Sequence, residues 1–420
     1  MTGEDLVAER LVAGGEALVR RADGRVAFVD GALPGERVRV AWVQERADYA
    51  RGVVTEVLSP SPHRVAPPCP FVAAGCGGCG WQHLAEAAQR EARRAIVVEA
   101  MVRTGRWPAD EAEALVVAGD PLPPEARRTT VRMAVGEGGR LGFRRAGSRE
   151  VVPVDPCAVA HPLLAGLVAT ARARGEGEVT LRCSVATGEL GVWAHPAERA
   201  PGGRGAGGGS GARRARAARP HLRDLPAGVV AGARATITER VEGADLRVSM
   251  ASFFQPSPWA AAALVRAVRA QVEAAAPRLL GRDDLVMVDA YGGVGLFAAT
   301  LPTPAARTVV VESGEHACAD ARHNLRDRAA TVVQARVEQW RARPADLVVA
   351  DPARAGLGAA GVAALVAADA EVLVLVSCDP VAGARDSRLL ADAGYAPREV
   401  RVLDLFPHTP HVETVATYVR

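Results

Sequence analysis

The apolar run Val372-Leu373-Val374-Leu375-Val376 ends in Ser377-Cys378-Asp379-Pro380. Inside a buried strand a cysteine packs as one more small hydrophobe. Just past a strand end it faces the crevice where open parallel sheets bind ligands, and as a thiolate it is a nucleophile. Cys378 holds the second kind of position. Two acids share this placement: Asp351 ends a strand expected over 346–351, and Glu312 ends one expected over 308–312. Asp351 reads either as a cap or as a hydrogen-bond partner for a planar heterocycle. A third acid, Glu413, lies within the apolar run 412–415. A carboxylate there is costly unless paired or functional, and its pKa is expected to rise. That suits a general base.

Asp289-Ala290-Tyr291-Gly292-Gly293-Val294-Gly295 follows an expected strand, 286–289, and opens a helix. Its glycines let backbone approach a ligand closely. Glu312, at the next strand end, is placed to accept hydrogen bonds from ribose hydroxyls. Together they favour an adenosine-bearing cofactor. The stricter G-x-G-x-x-G of NAD enzymes is missing, and Asp289 ahead of the glycines points to S-adenosylmethionine.

Of seven cysteines, Cys69, Cys76 and Cys79 crowd into one short stretch, with Cys157 further on. Without an export signal, this pattern reads as metal or catalytic usage in a reducing cytoplasm. Four thiolates fit a structural zinc or an iron–sulfur cluster, and spacing alone does not choose. The triplet of radical enzymes has three residues between its first two cysteines; six intervene here. His408 and His411 are flanked by prolines and lack a third ligand, so they are not read as a metal pair.

These residues need a scaffold. The strands above, with a weak one at 332–333 and late ones at 398–403 and 412–418, alternate with helical stretches. That order implies a doubly wound, Rossmann-like α/β domain over 251–420. Residues 1–59 show short alternating runs between Asp-Gly and Pro-Gly turns, as in a small OB-like barrel. A proline-rich linker follows. Residues 60–250 read as a mixed α+β region with the cysteines, a helix over 84–102 and a Gly/Arg-rich insertion, 201–220. That insertion cannot bury a core and reads as solvated chain, with arginines able to touch RNA phosphates.

The 420-residue length itself favours two or three domains, and 49% hydrophobic with 24% charged residues describes a globular protein. A formal net charge of +3 neither demands nor excludes nucleic acid. The chain has no lysine and one asparagine, Asn324, a bias of GC-rich coding that makes its arginine content uninformative. No stretch approaches the ~20 apolar residues that span a bilayer. The start, MTGEDLVAER, has no signal-peptide pattern, so a cytoplasmic protein without a membrane partner is expected.

Taken together, the motifs resemble the RNA uracil-5-methyltransferase family, whose members make 5-methyluridine in ribosomal and transfer RNA. The resemblance covers nearly the whole chain. Residues 1–59 resemble the family's TRAM domain, and Phe253-Phe254-Gln255-Pro256-Ser257 its Phe-x-Gln element. DAYGGVGLF resembles the cofactor turn, DPARAG the aspartate loop, SCDPVAGARD the nucleophile loop and FPHTPHVE the base motif. The resemblance implies a class I methyltransferase with Cys378 as nucleophile and Glu413 as base. It implies Gln255, Tyr291, Glu312 and Asp351 as contacts to S-adenosylmethionine or uracil. It also implies Cys69, Cys76, Cys79 and Cys157 as ligands of a [4Fe-4S] cluster, as in the ribosomal-RNA branch, and a monomer acting on RNA, ribosomal more than transfer RNA.

The sequence departs from the family in three places. Gly292 stands where cysteine is common, the first cysteine gap is one residue longer, and Arg336 lies near where an acid usually faces the adenine. Two other classes fit parts of the pattern. An exocyclic-amine methyltransferase would carry an aromatic residue after Asp-Pro-Pro, where this chain has Ala353 and Arg354, and would need no cysteine. A non-catalytic RNA-binding protein would have no use for both Cys378 and Glu413.

Overall fold

The computed structural model describes residues 4–123, 125–195 and 219–420. The chain forms two compact units. The first comprises residues 1–69, 79–124 and 259–420, the second 70–78 and 125–258. Most of the Gly/Arg-rich insertion, 201–218, lies outside the described residues. No described helix is long and apolar enough to cross a membrane.

Strands β1 (Glu4–Leu11), β2 (Ala17–Arg20), β3 (Val26–Asp30), β4 (Arg37–Glu45) and β5 (Tyr49–Ser59) close into a barrel ordered β1-β2-β3-β5-β4. The expected OB-like barrel is therefore present. Alternate residues such as Val19, Ala27, Val29, Val38 and Val40 fill its interior. Gly24 and Gly35 supply the left-handed turn positions between strands. Beyond it, the helix Glu86–Arg103 and a short strand, β6 (Val116–Ala118), return to the first unit.

The second unit has a six-stranded sheet with the order β14-β12-β11-β7-β8-β9. Its members are β7 (Thr130–Val135), β8 (Leu141–Arg144), β9 (Val151–Pro153), β11 (Glu178–Cys183), β12 (Leu190–His195) and β14 (Val230–Ala231). A pair, β10 (Arg172–Arg174) with β13 (His221–Arg223), and a hairpin, β15 (Thr236–Val241) with β16 (Ala244–Ser249), complete it. Met133, Leu164, Leu167, Leu181 and Val192 form its core.

The first unit's large sheet runs β19-β18-β17-β20-β21-β23-β22-β6. Its strands are β17 (Val286–Ala290), β18 (Arg307–Glu312), β19 (Ala330–Gln334), β20 (Leu347–Ala350), β21 (Val372–Ser377), β22 (Ala396–Leu403) and β23 (Glu413–Val419). From β17 the chain winds outward through β18 and β19, then crosses to β20 and β21 on the other side. That reversal opens a crevice at the carboxyl ends of β17 and β20. All six residues of β21 are buried, as a central strand covered on both faces requires. β23 runs antiparallel to β21 and β22, so its first residue, not its last, reaches this rim. β6 extends the sheet by pairing with β22, a role that its three residues do not announce in the sequence.

Candidate active site

The glycine turn after β17 is held from within. Asp289 is fully buried; its Oδ2 accepts the Ala298 N–H at 3.0 Å, while Oδ1 has no hydrogen-bond partner. Burial pushes its carboxyl well above the ordinary range, and the charges of Asp351 and Glu312 add to this. Tyr291 takes a left-handed φ of 57°, unusual for a side chain with a Cβ and typical of strained functional turns. Its hydroxyl donates to Glu338 Oε1 at 2.9 Å. A Cβ on Gly292 would stand 2.7 Å from Val310 Cγ1, so the backbone here fits a glycine closely. Asn324, the chain's single asparagine, donates to the Val294 carbonyl at 2.9 Å and pins the turn to its neighbouring helix, Glu315–Asn324.

Glu312 at the end of β18 accepts the Gly293 N–H on Oε2 (3.0 Å) and the Gly314 N–H on Oε1 (2.6 Å). It thus ties the cofactor turn to the second strand end and keeps lone pairs for hydroxyl donors. The short turn Val337–Gln339 after the third strand carries Glu338, which sequence reasoning missed by fixing on Arg336. Burial raises the Glu338 carboxyl, but its own amide and the hydrogen bonds from Tyr291 and Arg336 outweigh this and leave it below its ordinary value. The signal was a Tyr–Glu pair distant in sequence, which spacing cannot show.

Asp351, Cys378 and Glu413 come together at the rim. Ala350 pairs with Leu375, and Ser377 with Thr414, so the next residues along, Asp351, Cys378 and Glu413, follow adjacent ladders. Their electrostatics report the proximity. Burial raises Asp351 to about 7. Burial first, then Asp351, holds Glu413 well above its ordinary value. Burial, Glu413 and Asp351 together raise the Cys378 thiol to about 11, and Arg354 opposes them. The charge of Asp351 thus adds to burial in disfavouring ionisation of Glu413.

The nucleophile loop has its own supports. Asp379, which the sequence suggests only as a turn residue, caps the helix Pro380–Asp392: its Oδ1 accepts the N–H groups of Val381 (3.0 Å) and Ala382 (2.9 Å). Pro380 takes the first helical position, which suits it. From the same helix, buried Asp386 accepts the N–H groups of Leu357 (2.6 Å) and Gly358 (3.1 Å) and so anchors the Asp351 loop. One helix therefore positions both rim loops.

Gln255 belongs to the second unit, where it is buried, while Phe253 beside it is 73% exposed. Arg182 holds the approach to this segment by donating to the carbonyls of Ser249 and Ser252, each at 3.1 Å.

The expected ligands Cys69, Cys76, Cys79 and Cys157 all lie among the described residues. Among the described residues, no three His, Cys, Asp or Glu side chains group to hold a metal. Cys69 and Cys79 fall in the first unit; Cys76 and Cys157 fall in the second, where both pack against its apolar core. None of the four is in a disulfide, and all are half-buried.

No family model matches the chain. An RNA methyltransferase from Streptomyces avermitilis, described as uncharacterized, is 37% identical to it over 96% of this chain and 95% of its own length. The 23S rRNA (uracil(1939)-C(5))-methyltransferase RlmD of Chromohalobacter salexigens is 32% identical over 100% of this chain and 90% of its own. The crystal structure of Pyrococcus abyssi tRNA (uracil-54, C5)-methyltransferase with S-adenosyl-L-homocysteine superimposes with a TM-score of 0.71 at 24% identity, covering 99% of both chains. With full-length relatives at this identity and a rim that gathers Cys378, Asp351 and Glu413, the chain belongs to the RNA uracil-5-methyltransferase family.

Proposed function

We propose that this enzyme methylates carbon-5 of a uridine in RNA, with large-subunit ribosomal RNA as substrate, using S-adenosylmethionine. The observation that carries the reading is the convergence of Cys378, Asp351 and Glu413 at one rim, beside the glycine turn. The turn suits the cofactor: Glu312 offers carboxylate lone pairs to ribose hydroxyls, Tyr291 and Glu338 border the adenine side, and the Oδ1 of Asp289 is a buried acceptor with no partner. When bound, the cofactor supplies an electrophilic methyl group.

Carbon-5 of uracil is a weak nucleophile. Cys378 remedies this by adding through sulfur to carbon-6; ring electrons shift to the 4-oxygen and carbon-5 becomes enolate-like. Asp351 holds the ring edge and stabilises the charge developing there, and Glu413 acts as the base in its ionised form. Once carbon-5 carries the methyl group, Glu413 removes its proton and the carbon–sulfur bond breaks, freeing Cys378. Gln255 is assigned to the uracil edge. The target base must be unpaired or flipped to be reached. The barrel, 1–59, serves as a TRAM-type RNA grip. Residues 251–420 form the methyltransferase domain and 125–250 the body of the central domain expected over 60–250, whose 79–124 stretch folds with the first unit. The protein works as a cytoplasmic monomer. A [4Fe-4S] centre on Cys69, Cys76, Cys79 and Cys157 rests on donor chemistry alone, four cysteines outside any disulfide, and no catalytic step passes through it.

The test is covalent trapping. Ribosomal RNA from a strain deleted for the gene, incubated with S-adenosylmethionine, should yield an adduct with Glu413→Gln and none with Cys378→Ala. Methyl transfer by Cys378→Ala would sink the mechanism. Mapping 5-methyluridine to transfer RNA alone would replace the proposed substrate.

A further inference from the structure

Between β22 and β23 the chain crosses from Asp404 to Val412 with prolines at 407 and 410. A segment so interrupted cannot form a ladder, so its inward carbonyls need donors from elsewhere. They find them on the helix Glu86–Arg103. Arg93, 1% exposed, donates from Nε to the His411 carbonyl (3.0 Å) and from Nη2 to those of Phe406 (3.1 Å) and Thr409 (2.8 Å). Its Nη1 lies 2.9 Å from Asp404 Oδ1, an ion pair angled too poorly to be a hydrogen bond. The guanidinium also sits over the Trp81 ring, 5.5 Å from its centre. One turn earlier, Gln89 accepts the His408 N–H at 2.8 Å and donates to the carbonyls of Trp81 and Leu84.

A buried guanidinium is expensive to desolvate, and a hydrophobic residue of similar volume often serves stability better. Arg93 touches neither the rim nor the glycine turn. Its bonds go instead to the loop that ends at Glu413, two residues past His411. Glu413 is buried, and no side-chain hydrogen bond to its carboxyl is seen among the described contacts that fix it; its place is inherited from β23 below and from this loop above. The fork geometry of arginine suits three carbonyls at fixed angles in a way that lysine does not.

We propose that Arg93 is a positioning residue for Glu413: it clamps the 404–411 loop so that the base meets carbon-5 of the covalently held uracil. The inference rests on the proposed reaction. It separates two stages of that reaction, because Cys378 is delivered by β21 and its helix, which Arg93 does not hold. Arg93→Met should therefore leave adduct formation intact and slow its resolution.

The experiment uses the full chain with ribosomal RNA from a deletion strain and S-adenosylmethionine, following adduct by denaturing gel. In Arg93→Met the adduct should form within about threefold of the wild-type rate and decay at least about tenfold more slowly. Hydrogen exchange of peptides covering 404–413 should quicken, with 372–378 unchanged. Wild-type decay, or unchanged exchange at 404–413, overturns the proposal. Equal loss of both stages with cofactor binding retained also overturns it. Should Arg93→Met fail to fold, Arg93→Lys replaces it, with slower decay supporting the clamp and wild-type decay refuting it. Absence of any adduct in the wild type, with exchange at 404–413 still altered by Arg93→Met, sinks the proposed reaction and leaves the clamp on the loop standing.

Discussion

Thr414 donates its hydroxyl to the Ser377 carbonyl at 3.2 Å, and the two residues are directly paired across β21 and β23. The pair fixes the residues on either side of it, Cys378 and Glu413, which have no such bond to each other. Thr414→Val keeps shape and removes the hydroxyl, leaving a buried carbonyl short of one donor. We expect a stability loss on the order of 1 kcal/mol. Because nucleophile and base are re-aimed rather than removed, kcat should fall while KM for RNA stays near wild type. Steady-state kinetics alongside a denaturant melt checks both.

The carboxyl pair should make the fold more stable in acid than in mild alkali. Asp351 is raised from its ordinary 3.8 to about 7, and Glu413 and Asp289 are raised too, all chiefly by burial. A group whose folded pKa is raised contributes stability below its unfolded value and loses it as pH climbs through the folded one. The loss from Asp351 therefore falls between about pH 4 and 7. Asp351→Asn should remove that slope and raise Tm at pH 8 by on the order of 2 °C, with less gain at pH 5. Tm measured across pH 5 to 8 for both proteins decides it; an unchanged slope would remove Asp351 as its source.

The strand ends were legible because burial on both faces leaves an unbroken apolar run, and polar residues at its edge stand out. Cys378, Asp351, Glu312 and the glycine turn were found that way. Glu338 escaped because a pairing with Tyr291, distant in sequence, defines it. Val116–Ala118 escaped because three residues carry no periodicity, and only the neighbouring β22 makes them a strand. Asp379 looked like a turn residue, since a cap differs from a turn only in which N–H groups it meets. The four cysteines stay undecided for a different reason: spacing names thiolate donors but not the group they would hold.

Arg354 is the cation that favours the Cys378 thiolate, against burial and two carboxyls that hold the thiol near 11. Its side chain is 69% exposed and 3.8 Å from Asp379, so its field is screened by water and salt. Below pH 11 the thiolate fraction of the free enzyme rises about tenfold per pH unit. Arg354→Gln should slow adduct formation at pH 7, shift its pH profile to higher pH and blunt its dependence on ionic strength. Adduct rates from pH 6 to 9 at low and high salt test this. A variant with the same profile as wild type would show that the thiolate is set by the carboxyls and burial alone.

Iron content separates the two fates of the four cysteines. If the four bind no metal, the protein purifies colourless with four titratable thiols from Cys69, Cys76, Cys79 and Cys157. A [4Fe-4S] centre instead gives about four irons and four acid-labile sulfides per chain, with visible absorbance, when the protein is purified without oxygen. Stoichiometric zinc would reject the cluster but retain the thiolate site. Cys76 and Cys157 both pack on the second unit's core. Replacing either with alanine should therefore lower stability modestly in a metal-free protein, and should remove all of the iron together in a cluster protein. Metal analysis of the wild type and these two variants, purified in parallel, distinguishes the cases.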